Sequence, residues 1–129
     1  MTQDGQASQN AFGRAARLHC QSQFTLVRGS GVSSAGRYCV VNILMPSPDQ
    51  SRRAAFCISR KFSPLAVERN RARRLFREVY AVLQPELPPS WVLFIPRKHM
   101  KSAKMADVLG DVRGNLERCG VRCRLEVER

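Results

Sequence analysis

Phe, Val, Ile and Leu are concentrated at residues 23–28 and again at 37–45, and a Gly- and Ser-rich stretch, 29–36, separates them. The pattern predicts two strands joined by a loop. Pro46, Ser47, Pro48 and Asp49 supply the next turn, after which Ala54, Ala55, Phe56, Cys57 and Ile58 predict a third strand over 53–60. Three successive strands suggest an antiparallel meander. The period then changes. Over residues 64–83 apolar positions recur at helical spacing, Ser63-Pro64 suits the start, and the run stops before Pro85, whose predecessor is biased away from the helical region. Pro85, Pro88 and Pro89 form a stiff connector to a short apolar strand, 91–95, ended by Pro96. A second helix is expected over 102–118, stopping at Gly120. Val121, Cys123, Leu125 and Val127 alternate with Arg122, Arg124, Glu126 and Glu128, the pattern of a short strand or a tail. Residues 1–13 hold little that can be buried and read as a flexible tail. The expected layout is a tail at 1–13, one folded domain at 14–120, and a terminal strand or tail at 121–129.

Composition narrows the function. With 129 residues, 43% apolar and 25% charged, the chain can bury the core of one domain, which excludes a wholly disordered basic tail. Lys and Arg number 22 against 10 acids, a formal charge of +12. No apolar run approaches the ~20 residues of a membrane span. The polar start lacks the pattern of a secretory signal, so a cytoplasmic location and a nucleic-acid partner are expected. The five cysteines include no Cys-x-x-Cys pair, which argues against a disulfide framework. Cys119 and Cys123 with His19 or His99 match no common zinc spacing, and no metal site is expected.

The charge is concentrated. Arg52, Arg53, Arg60, Lys61, Arg69, Arg71, Arg73, Arg74 and Arg77 share a segment with a single acid, Glu68. At about 100° per residue, with Arg69 at zero, Arg73, Arg77, Asn70 and Arg74 fall at roughly 40°, 80°, 100° and 140°. Ala72, Leu75, Phe76, Val79, Val82 and Leu83 lie between roughly 220° and 340°. One face is cationic and the other belongs to the core. All four cations of the arc are arginines, whose planar fork suits phosphate oxygens and stacks on bases, and Asn70 adds a neutral donor and acceptor. Nucleic-acid binding with strong salt dependence follows. The chain has no helix-turn-helix, basic-zipper or zinc-finger pattern, which favours RNA over DNA, and Phe24 or Tyr38 on an open sheet face would suit unpaired bases.

Protein-borne catalysis has little support. Glu68 and Glu78 stand far apart on the helix, and Asp107 with Asp111 reads as an ordinary solvent-facing pair. His19 and His99 lack recognisable partners, and no Walker-type phosphate loop or nucleophile elbow occurs.

Ile58-Ser59-Arg60-Lys61 followed by Glu68-Arg69-Asn70-Arg71-Ala72-Arg73-Arg74-Leu75-Phe76-Arg77-Glu78 resembles the signature of the bacterial ribonuclease P protein family. Arg17-Leu18 ahead of Phe24 and Val27, and residues 91–95 followed by Arg97 and Lys98, extend the resemblance over most of the chain. It implies an α+β domain with a short N-terminal helix, a mainly antiparallel four-stranded sheet packed with the arginine-rich central helix and flanking helices, and a left-handed crossover shared with a ribosomal-protein domain. The implied function is to bind a catalytic RNA and the 5′ leader of precursor tRNA. That RNA, with magnesium, removes the leader, and the protein carries no catalytic residue, no cofactor of its own and no obligate protein partner. The implied RNA-binding set is Arg60, Lys61, Arg69, Asn70, Arg71, Arg73, Arg74 and Arg77, and the implied leader cleft holds Phe24, Tyr38, Asn42 and Arg60. Arg28 stands where a second aromatic is common in the family, Asn42 where some members have Tyr, and Ser63-Pro64 replaces a common Gly-Asn turn. The alternatives are a ribosome-associated RNA-binding protein and a protein-only nuclease built on Glu68 or Glu78.

Overall fold

The computed structural model describes residues 17–121 except His19. The expected alternation at residues 121–128 therefore lies, after Val121, outside the described residues.

The apolar run at 23–28 is helical rather than extended, a correction to the strand expected there: helix α1 spans Gln21–Ser30. Phe24 and Val27, three residues apart, share one helix face and pack against Leu18, Ala55, Trp91 and Leu93. Gln23 Oε1 accepts the Cys20 N–H at 3.2 Å and closes the first turn. The stretch expected as a loop instead contains β1 (Val32–Ala35), mostly exposed and so without an apolar signal, paired antiparallel to β2 (Cys39–Leu44). The third strand is shorter than expected: β3 is Arg53–Phe56. Helix α2 (Ala66–Leu83) and strand β4 (Trp91–Pro96) follow the predicted periods closely. Helix α3 (Met105–Arg118) begins later than expected because Lys98–Ser102 forms a separate 3-10 turn. Beyond it Gly120 adopts φ 92°, the left-handed stop that glycine accepts without strain.

The strands do not form a meander. Their order is β1-β2-β4-β3, with β3 parallel to β4 and reached through the α2 crossover. β4 is buried at almost every position, so it takes the centre with a neighbour on each side, and the short β3 goes to the edge. The result is a single α+β domain with three described helices on a mixed, mostly antiparallel sheet.

Strand alternation divides the sheet into two faces. Cys39, Val41, Ile43, Ala54, Val92 and Phe94 meet α2 and α3 in the main core, where the Phe76 ring stacks on Phe56 at 5.8 Å and on Phe94 at 5.3 Å. Leu44, Ala55, Cys57, Trp91 and Leu93 meet α1 on the other side. Helix α2 is rotated slightly from the expected orientation: Tyr80 is fully buried, whereas Val82 is 42% exposed.

Asp111 corrects a second expectation. It does not face solvent; it accepts the N–H groups of Arg37, Tyr38 and Cys39 at 3.0–3.1 Å and so holds the turn between β1 and β2 against α3. One turn on, the buried Asn115 accepts from Ser34 Oγ at 2.9 Å and donates to the Cys39 carbonyl at 3.3 Å. Among the described residues no helix is long and apolar enough to cross a membrane.

Candidate nucleic-acid interface

Helix α2 starts from a polar turn. Ser63 Oγ accepts the Leu65 N–H at 3.1 Å and donates to Glu68, while Arg69 Nη1 donates to the Ser63 carbonyl at 2.9 Å. Glu68 also lies 3.9 Å from Lys101 Nζ, so the one acid of the segment is engaged away from the arginine arc. Arg73 Nη1 donates to Asn70 Oδ1 at 2.9 Å, which orders two side chains of that arc together. The side chains of Arg74 and Arg77 are exposed and, among the described residues, form no hydrogen bond or ion pair. The ion pairs of the described residues are Arg53–Asp49, Lys101–Glu68 and Arg113–Glu86. None involves Arg60, Lys61, Arg69, Arg73, Arg74 or Arg77. A cluster of like charges without acids raises the local potential and attracts a polyanion.

Arg71 is placed differently from its neighbours. At roughly 200° on the wheel it lies outside the arc. Its guanidinium donates to the carbonyls of Met100, Lys101 and Ala103, satisfying the C-terminal end of the 3-10 turn.

The residues expected in a leader cleft are only partly brought together. Phe24 is half-buried and borders a cavity of about 270 Å³ whose other walls include Phe56, Arg73 and Arg77, so α1 meets the arginine arc across β3. Asn42 pairs with Leu93 and lies on the α1 side of the sheet. Tyr38 instead packs against the main core, with the Arg37 guanidinium 5.7 Å from its ring centre. Arg60 and Lys61 are exposed in the segment after β3, and Lys61 lines a second, larger groove of about 500 Å³ between that segment and the end of β4, beside Cys57, Arg97 and Lys98.

The cations near these grooves that were not among the expected site residues include Arg28 and Arg97. Arg28 Nη2 lies 3.9 Å from Cys57 Sγ, and Arg97 Nη1 donates to the Gly36 carbonyl at 2.9 Å. No helical wheel reports them, because the segments that bring them to the grooves are distant in sequence. Burial pushes the Cys57 thiol up, against a smaller opposing effect of the Arg28 charge. Glu68 is committed to Ser63 and Lys101, and among the described residues no three His, Cys, Asp or Glu gather as metal ligands.

Comparison with known proteins gives the family. Residues 12–120 match the family model "Ribonuclease P". A ribonuclease P protein component of Clostridioides difficile is 31% identical over 112 residues, covering 85% of this chain and 96% of that protein. One from Gluconacetobacter diazotrophicus is 34% identical over 113 residues, covering 84% and 95%. The fold superposes on the Staphylococcus aureus RNase P protein with a TM-score of 0.73 at 23% identity, covering 84% of this chain and 98% of that one. With the Thermotoga maritima RNase P protein the TM-score is 0.68 at 25% identity, covering 79% and 96%. The chain therefore belongs to the ribonuclease P protein family, and is the protein subunit of the ribonucleoprotein that processes the 5′ end of precursor tRNA.

Proposed function

We propose that the arginine face of α2 binds the ribonuclease P RNA, while the α1 side of the sheet receives the 5′ leader of precursor tRNA. As a component of ribonuclease P the chain associates with that RNA. The observation that carries the finer reading is the group of guanidinium and ammonium groups at Arg60, Lys61, Arg73, Arg74 and Arg77, exposed or half-buried and with no acid in contact. Each phosphate they neutralise releases counterions, so binding is strong at low salt and falls steeply as salt rises. Arg69 and Asn70 complete the face. In this reading Arg71 holds the helix and its neighbouring turn rather than contacting RNA. The leader runs past Phe24 and Asn42 towards Arg60, with Arg97 and Lys98 lining the far end. Tyr38 stands to one side of that path.

The chemistry belongs to the RNA and its magnesium ions. In this reading the protein's part is to position the RNAs and to screen their charge. Holding the leader raises affinity for leader-bearing substrate and broadens the range of precursors accepted. Placing positive charge between two polyanions lowers the magnesium needed to dock them. The folded unit for this work is residues 14–120, acting in the cytoplasm without an obligate protein partner.

Cleavage of a 5′-labelled precursor tRNA at near-physiological magnesium tests this, with bacterial ribonuclease P RNA alone, this chain alone, and both. Cleavage at the mature 5′ end is expected to require both. Equal cleavage with and without the chain would leave only a general RNA binder, and cleavage by the chain alone would place a catalytic centre in the protein.

A further inference from the structure

We propose that residues 122–127 add to the free edge of β1 as a fifth strand, parallel to it, with Cys123, Leu125 and Val127 turned to the α3 side and Arg122, Arg124 and Glu126 to solvent.

The two edges of the sheet differ. Along β3, Arg17 pairs with Ala54, and the Leu18 N–H donates to the Ala54 carbonyl at 3.0 Å. β1 has β2 on one side and no described strand on the other. The Gly36 N–H donates to the Cys39 carbonyl at 2.9 Å, which makes these two a hydrogen-bonded pair, so Ser34 and Val32 also turn their main-chain groups to β2. The N–H and carbonyl groups of Ser33 and Ala35 therefore point out of the sheet, and no described residue bonds to them. Such an edge is a template for another strand.

The chain reaches this edge in a defined direction. Helix α3 runs antiparallel to β1: Asp111 holds the N–H groups of Arg37, Tyr38 and Cys39, Arg118 Nε donates to Ser34 Oγ at 2.9 Å, and the Cys119 thiol lies 3.8 Å from the Val32 carbonyl. Val121 is buried, and its N–H donates to the Leu116 carbonyl at 2.9 Å. A chain leaving from there meets the Val32 end of β1 first and runs towards Ala35, which makes the pairing parallel. At about 3.3 Å per residue, residues 122–127 reach about 20 Å, against about 13 Å for β1. Attachment at Val121 gives this segment an effective concentration of order millimolar at the edge, ahead of any separate strand.

The faces match as well. Val32 shares the α3 side of β1 with Ser34, yet it is 52% exposed. A Cβ built on Gly114 would meet only Arg118 Nη1, at 3.6 Å, and one built on Gly110 would meet nothing within 4 Å. Helix α3 thus leaves room above the edge for the apolar members of the alternation at 121–127, while the charged members fall on the outer face.

The test is amide hydrogen exchange of the full chain, read residue by residue by NMR at several protein concentrations. The Ser33 and Ala35 N–H groups are expected to exchange about tenfold or more slowly in the wild-type chain than in Leu125→Asp, because each gains a main-chain acceptor. The Val32 and Ser34 N–H groups, bonded to β2, report an intact fold and should stay protected in both. Arg124→Asp, on the outer face, should keep the protection of Ser33 and Ala35. Rapid exchange of these two amides in the wild-type chain, or protection that Leu125→Asp leaves unchanged, would overturn the fifth strand. Protection that grows with protein concentration, alongside a dimer in sedimentation, would overturn pairing within one chain in favour of exchange between two copies.

Discussion

The carboxylate of Asp111 occupies the space that a side chain on Gly36 would need: a Cβ built on Gly36 would collide with both of its oxygens. From that position Asp111 accepts three consecutive N–H groups, those of Arg37, Tyr38 and Cys39. Glycine at 36 and aspartate at 111 thus form one joint between the β1–β2 turn and α3. Asp111→Ala is expected to lower the unfolding free energy by about 2 kcal/mol, because charge-assisted bonds to main-chain donors are removed. Gly36→Ala should lower it by about 1–3 kcal/mol through overpacking. Urea unfolding followed by circular dichroism measures both, and a wild-type midpoint for Asp111→Ala would refute the joint.

The cations of α2 should separate into two groups by experiment. Replacing Arg74 and Arg77 with Ala is expected to reduce the slope of log K against log salt for RNA by about 0.7–0.9 for each phosphate no longer neutralised, with little change in thermal stability. Arg71→Ala should do the opposite. It removes a guanidinium bound to the carbonyls at the end of the 3-10 turn and should cost about 1–3 kcal/mol of stability while leaving the salt slope unchanged. Arg71→Lys should restore only part of that stability, since an ammonium cannot reproduce the planar fork. A fall in salt slope for Arg71→Ala would return it to the RNA-contacting set.

Asn115 is fully buried, and its amide joins three partners: Ser34 Oγ, the Cys39 carbonyl and Arg118 Nη2, the last at 2.7 Å. Asn115→Ala leaves these groups without it and should destabilise the fold by about 2–3 kcal/mol. Asn115→Asp should also destabilise, because the Cys39 carbonyl would then face a carboxylate instead of a donor. Denaturation midpoints of the two variants check this.

Alkaline pH should weaken the fold. Burial pushes the Cys39 thiol up, with the Asp111 charge adding to the effect, and burial likewise raises Tyr80. The folded chain then keeps protons that an unfolded chain releases above about pH 8.5 for thiols and about pH 10 for phenols. Because the folded state binds more protons there, stability falls as pH rises. Urea midpoints between pH 7 and 10.5 should decline, and Cys39→Ala should flatten the start of that decline. At pH 8, alkylation followed by peptide mapping should find Cys20 modified before Cys39. The exposed Cys20 thiol is held below its ordinary value by its hydrogen bond with Ser22, and so carries more of the reactive thiolate.

Helix α2, β4 and the arginine arc are legible in the amino-acid order alone, because each is a local pattern. An 18-residue helix with apolar positions on one side and arginines on the other declares its two faces at helical period, whatever it packs against. The run ending at Pro96 and the stop at Gly120 are equally local, set by ring geometry and by a positive φ. The motif around Arg69-Asn70-Arg71 led to the family for the same reason.

The other elements depend on contacts between segments far apart in the chain. Residues 23–28 have strand-like composition, yet they are helical, since only helical spacing sets Phe24 and Val27 together on the Leu93 side of the sheet. β1 carries no apolar pattern, and its strand geometry comes from backbone pairing with β2. β3 lies beside β4 rather than β2 because the most apolar strand takes the centre, a choice made by competition among segments far apart in sequence. Arg71 and Asp111 looked like members of local sets, an arginine cluster and a pair of acids. Their partners, the carbonyls near Ala103 and the N–H groups after Gly36, lie some thirty and seventy residues away, where no sequence period reaches. A helical wheel reports which side of a helix is wet; which polar atoms meet across the fold is settled only when buried donors and acceptors find one another.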